Sequence, residues 1–208
     1  MRIMRRAIGI AVAGAVIAVA AHAQLGLLGP KRPPPVEHPE GYYLLRLPRG
    51  WSHAFAPGEQ FTASGTHGDT AQLTITVTDV EREADTELVA LNAHRRLREL
   101  PHFKDGGGGR LTIGGKPASI RSFEFDYQGN TELTVAVEEL YVVTGRILVT
   151  VHFEVMRRSL PAFKEDLKAI YDSLRVADVD AEGRVKRAPR PKQRRERTTV
   201  VPDISTFH

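Results

Sequence analysis

Ser64, His67 and Asp69 fall within six residues, and a hydroxyl, an imidazole and a carboxylate are the groups of a hydrolytic triad. Such triads are assembled from separated elements around an oxyanion site. Nothing near these residues reads as a nucleophile elbow, so they are not expected to be catalytic. Gly106 to Gly109 lacks the Lys and Ser/Thr that must follow a phosphate loop, and reads as a flexible break. A third pattern is more specific. His152 and Glu154 alternate with apolar residues, and side chains two apart on a strand share a face. Glu138 or Glu124 from a neighbouring strand could join them, which makes an oxygen/nitrogen metal site geometrically conceivable. The commoner fate of such residues is the solvated side of an antiparallel sheet. Glu124, Asp126, Glu138, His152 and Glu154 are therefore expected on one outward, partner-binding face, with no metal and no cofactor. Phe123, Phe125, Leu133, Val135, Val137, Tyr141, Val149, Val151 and Phe153 would then turn to the core.

Charge supplies a different chemistry. Residues 24–183 hold 18 Lys+Arg against 23 Asp+Glu, a net −5, whereas residues 184–208 hold eight against two, a net +6. The sequence pI near 9.5 thus describes a mildly acidic body with a basic tail, not a uniformly basic protein. Arg184, Lys186, Arg187, Arg190, Lys192, Arg194, Arg195 and Arg197 form a run that is either solvated without a partner or suited to anionic lipid headgroups, an acidic envelope polymer, or an acidic protein surface such as this domain's own sheet face. Cysteine is absent, which excludes disulfides, thiolate metal sites, thiol nucleophiles and the cysteine-linked lipoprotein anchor.

The elements around these groups begin with a leader. Arg2, Arg5 and Arg6 precede an apolar run over residues 7–21, and Ala21-His22-Ala23 before Gln24 is the small-x-small pattern of a signal-peptidase site. About 15 apolar residues fall short of the roughly 20 that span a bilayer. Cleavage is expected between Ala23 and Gln24, giving a periplasmic or secreted protein for which nucleic acid is not an expected partner. Five prolines over residues 24–41 read as an extended linker.

The folded domain is expected over residues 42–176. A strand at 42–47 closes on Pro48-Arg49-Gly50, and Trp51, the only tryptophan, reads as a plug at the edge of the core. Leu73, Ile75 and Val77 alternate with Thr74, Thr76 and Thr78, the pattern of a half-buried strand over 71–80. Residues 85–100 read as a helix capped by Asp85, with Leu88, Val89, Leu91 and Leu97 inward and arginines in the last turn. Strands at 118–127, 132–144 and 146–155 are joined by short glycine-containing turns, so they are consecutive antiparallel hairpins. A final helix over 160–174 carries Phe163, Leu167, Ile170 and Tyr171 at helical spacing. This order gives an α+β class, helices on a mainly antiparallel sheet. Residues 177–208 read as a basic disordered tail.

Several of these segments resemble one family. Leu47-Pro48-Arg49-Gly50-Trp51 after a short strand is similar to the Pro-x-Gly-Trp opening of the Mog1/PsbP-like superfamily. Ile113 to Ala118 entering the strand with Phe123, Phe125 and Tyr127, the glycine turn before Arg146 to Thr150, and the closing Asp172-Ser173-Leu174-Arg175 follow the same order. The resemblance covers residues 41–176. It implies an αβα sandwich and a non-catalytic adaptor, chaperone-like or assembly role, with another envelope protein as partner. It carries no catalytic residues. The alternative reading is a carrier holding a lipid or other apolar ligand between sheet and helix.

Overall fold

The computed structural model describes residues 33–56, 60–80 and 84–187; the leader, the Ala23–Gln24 junction and the tail beyond Arg187 lie outside them. Seven strands form the main sheet: β3 (Ser52–Phe55), β4 (Phe61–His67), β5 (Asp69–Asp79), β6 (Lys104–Ile113), β7 (Lys116–Asp126), β8 (Thr134–Thr144) and β9 (Ile147–Met156). Their order is β3-β4-β5-β9-β8-β7-β6, and every neighbouring pair is antiparallel. A smaller sheet joins β2 (Tyr43–Leu45) to β1 (Val36–Glu37) and β10 (Arg175–Val176). β11 (Asp178–Val179) and β12 (Val185–Arg187) form a terminal hairpin.

The two helices cover opposite faces, which makes the αβα layering. Helix α2 (Leu160–Ser173) presents Phe163, Leu167 and Ile170, at helical spacing, to Leu73, Ile75, Val151 and Phe153. This main core also takes in Tyr43, Leu45 and Val176 of the small sheet. Helix α1 (Thr86–Leu97) starts as expected: Asp85 Oδ1 accepts from the Glu87 and Leu88 amides at 2.7 and 3.4 Å. It lies chiefly on β7 and β8, over a second small core of Phe123, Val135 and Val137.

The register divides the core residues differently from the expectation. Phe123 stands opposite Val137, and Tyr141 opposite Thr150, on the α1 face. Val149, Val151 and Phe153 belong to the α2 face. Leu133 is exposed. Helix α1 keeps only part of its expected side: Leu97 packs against the second core and Val89 is half-buried, but Ala90 and His94 are buried while Leu88 is 56 % and Leu91 37 % exposed. Gly106 to Gly109 is not a loop but part of the edge strand β6, because β7 pairs with Gly107, Gly108 and Gly109 and leaves only Gly106 as a bulge.

The fold exceeds the expected 42–176 at both ends. Val36 pairs with Leu45, inside the supposed linker. Beyond Val176, the Ala177 amide donates to the Tyr42 carbonyl at 2.8 Å and Thr144 Oγ1 donates to the Ala177 carbonyl at 3.1 Å. Arg184 and Lys186 therefore belong to the terminal hairpin, with Arg184 Nε donating to Asp180 Oδ2 at 2.8 Å. Arg190, Lys192, Arg194, Arg195 and Arg197 lie outside the described residues.

Candidate functional site

The strand pleat puts Ser64 on the α1 side of the sheet, whereas His67 and Asp69, opposite each other across the β4–β5 turn, stand on the α2 side and bind different partners. Ser64 pairs with Ser52 at 3.0 Å, hydroxyl to hydroxyl. His67 Nε2 meets Asp166 Oδ2 of α2 at 3.0 Å. Asp69 is bound by Arg158 at 2.9 Å, which with Ser159 pulls its pKa down to about 2. Three groups with three separate partners make no relay. Asp166 Oδ2 also accepts from Trp51 Nε1 at 2.7 Å, and the indole lies against the backbone of Gly65, where an added Cβ would be 2.3 Å from Trp51 Cε2. The Pro-x-Gly-Trp turn thereby bolts the β3–β4 hairpin to α2.

The expected partner-binding face is split between the two sides of the sheet. Along β8 and β9 the register places Glu138 opposite Phe153 and Glu139 opposite His152. Glu138 therefore faces α2, where burial raises its pKa against the pull of Tyr171 and Ser122. Glu124 and Asp126 share that side: Glu124 is bound by Arg157 at 2.9 Å, and Asp126 by His102 at 2.6 Å and Thr134 at 2.8 Å. Neither they nor Glu138 can join His152 and Glu154 in one site.

What the sheet does assemble on the α1 side is a row of alternating charge. His152, Glu139 and Arg121 lie side by side across β9, β8 and β7, and Arg121 is paired with Glu87 from the first turn of α1. Glu87 also accepts from Ser119 Oγ at 3.0 Å. Glu139 accepts from His152 Nδ1 at 2.9 Å and from the Tyr141 hydroxyl, and Glu154 stands 3.5 Å from His152 Nε2. Burial works against the charge on His152, but its bonds to Glu139 and Glu154 prevail and raise its pKa to about 9. Burial likewise opposes ionisation of Glu139, yet His152 and Tyr141 hold it below the usual carboxylate range. Tyr141 is pushed far up by burial and by the Glu139 charge. Near neutral pH the row thus holds a locked imidazolium, a saturated carboxylate and a protonated phenol. Such groups fix a surface; none is poised to take or give a proton.

Beside this row, among the described residues, the sheet carries no packed helix. Thr62, Thr66, Thr70, Gln72, Thr74, Thr76, Thr78 and Thr150, together with Ser52 and Ser64, stand on the α1 side of β3, β4, β5 and β9, exposed or half-buried. α1 packs chiefly on β7 and β8, the other half of the sheet.

The sequence matches no family model and no curated protein. Several solved structures share its architecture, among them the three that follow. LpqN of Mycobacterium tuberculosis, involved in cell envelope biogenesis, superposes with TM-score 0.55 at 17% identity, over 69% of this chain and 89% of LpqN. The Ran-binding protein Mog1p of Saccharomyces cerevisiae gives 0.52 at 12%, over 70% and 95%. CyanoP, the cyanobacterial PsbP of Synechocystis, gives 0.51 at 10%, over 74% and 98%. The fold is the Mog1/PsbP-like fold. Within this Mog1/PsbP-like frame, Glu139, Tyr141, Arg121 and Glu87 are the residues sequence reasoning missed. Glu138 and Glu139 are adjacent acids on opposite faces, and only the β7–β8–β9 register tells which of them meets His152.

Proposed function

We propose that this protein is a non-catalytic binding or assembly module of the cell envelope, exported through its leader and contacting another envelope protein through the open hydroxyl-rich half of its sheet. The observation that carries the reading is that half-sheet itself: a broad polar surface bordered by His152 and Glu154, beside a charge row whose members are already satisfied. The leader motif ending at Ala23 supports export. No helix among the described residues is long and apolar enough to cross a membrane. LpqN, similar in fold, is involved in cell envelope biogenesis, which favours the same compartment here. The cations from Arg184 to Arg197 would add an electrostatic tether to an anionic surface or acidic partner. The carrier alternative draws no support, because Phe163, Leu167 and Ile170 already fill the space between sheet and α2.

The test is site-specific photocrosslinking in the producing cell. A photoreactive residue at Thr76, on the open face, is expected to give a discrete protein adduct; one at Lys164, on the outer side of α2, is not. Equal adducts from both positions, or none from Thr76, would remove the open face as the contact surface.

A further inference from the structure

β6 closes one side of the seven-stranded sheet, and among the described strands only β7 pairs with it. It is ten residues long, against four for β3 at the other edge. Long exposed edges are templates for strand pairing, and proteins usually blunt them. Here the middle of the edge is bare: four glycines lie between Asp105 and Arg110. The chain's own packing does not require all of them, because a Cβ at Gly109 would meet nothing closer than Ile120 Cγ2 at 3.9 Å.

The charges are symmetric about this bare centre. In an antiparallel pair, residues directly opposite share a face. Asp105 and Arg110 are five apart, so on a regular strand they would point to opposite faces and could not answer each other in a symmetric pairing. A bulge corrects this. The ladder runs from Asp105 opposite Phe123 to Gly107 opposite Ser122, leaving Gly106 unpaired, and Gly107 takes φ +88°. Arg110 is opposite Ser119, so Asp105 and Arg110 both stand on the α1 face. Counting past the bulged Gly106, a twofold axis at Gly108 sets Gly107 against Gly109 and Asp105 against Arg110, twice. Both are accessible, Asp105 with 47% and Arg110 with 80% of the side chain exposed. Helix α1 is tied to this edge by Glu87 with Arg110 (3.6 Å) and by His94 and Arg98 with Asp105 (3.2 and 3.9 Å).

We propose that β6 is a self-association edge: two copies of this chain pair β6 to β6, antiparallel about Gly108, with an Asp105–Arg110 ion pair at each end. The partner is a second copy because the bulge and the charge pattern are self-complementary, as an isologous interface demands. This surface is separate from the open half-sheet, and the proposal does not rest on the function proposed above.

Sedimentation of the purified full-length protein over a concentration series is the experiment. A monomer–dimer equilibrium is expected. Asp105→Arg or Arg110→Asp alone should weaken it by about tenfold or more, and the two together should restore it. Asp105 also accepts from the Gly107 amide at 2.8 Å, so Asp105→Arg risks loosening the edge itself. Amide hydrogen exchange on the unaltered protein covers that case. Amides from Gly106 to Leu111 should slow on dimerisation while those of β3 do not. A monomer at every concentration, a dimer indifferent to both reversals, or protection that falls elsewhere would overturn the proposal. So would a monomer that takes up an extended peptide along β6 in place of its copy.

Discussion

His152 is the group whose ionisation the fold controls most visibly. Its pKa rises from 6.5 to about 9, so the folded chain keeps a proton that the unfolded chain sheds. The resulting stabilisation is complete below about pH 6.5 and drains away as pH rises through about 9. The full shift is discounted because a third of the side chain is exposed, leaving about 1–2 kcal/mol. Urea unfolding at pH 6 and pH 9.5 should show the native protein less stable at the higher pH by that amount. Glu139→Gln should flatten the slope. His152→Ala should also flatten it and cost about 3 kcal/mol at pH 6, because Glu139 is left buried without its cation. A slope that survives both changes would assign the titration to another group. At this scale the sequence was only half legible. His152 and Glu154 could be paired from alternation alone, but choosing Glu139 over Glu138 needed the register of two other strands.

At the scale of elements, β6 and α1 show why local patterns misled. Four glycines have no strand preference, yet β7 gives three of them a ladder, and one close approach demands a glycine: a Cβ on Gly108 would lie 2.4 Å from the Ile120 carbonyl oxygen and 2.7 Å from Arg121 Cδ. Gly108→Ala is expected to cost about 2 kcal/mol or more in thermal unfolding, by displacing the arginine that holds Glu87. Gly109→Ala should be neutral or stabilising by up to about 1 kcal/mol, since it only removes unfolded-state freedom. Equal effects at the two sites would mean that β6 is not ordered as described. In α1, Leu97 packs inward but Leu88 and Leu91 misled, because the sheet beneath the first turn carries Arg121 and Ser119, which call for Glu87. Leu88→Gln should therefore leave stability within about 0.5 kcal/mol, and Ala90→Leu should cost about 1–3 kcal/mol by overpacking. The strands with strong alternation, β5 and β7 to β9, were readable. β3 and β4 were not, since Ala63 and Gly65 carry little of the apolar signal that marks a buried face.

For the whole molecule, the layering followed from the order of strands and helices, whereas its limits did not. Residues 177–187 look like the start of a charged tail, but Ala177 and Val179 are buried and the hairpin they open closes over Tyr42, whose hydroxyl donates to the Gly183 carbonyl at 3.2 Å. A chain ending at Val176 should be less stable than one ending at Arg187 by roughly 2–4 kcal/mol, from lost burial and backbone bonds. If the two melt together, the terminal hairpin is not part of the cooperative unit. Removing residues 188–208 takes away five of the eight tail cations. It should abolish any salt-sensitive binding to anionic vesicles while leaving unfolding unchanged.

The clamp between Trp51, Gly65 and Asp166 has an optical consequence. Trp51 is the only indole in the chain, and it reports on one layer alone: it is packed edge-on to Phe163 of α2 at 6.3 Å between centroids. Intrinsic fluorescence will follow α2 leaving the sheet. A loosening confined to α1 and the second core would pass without a change in emission, and circular dichroism would detect it first.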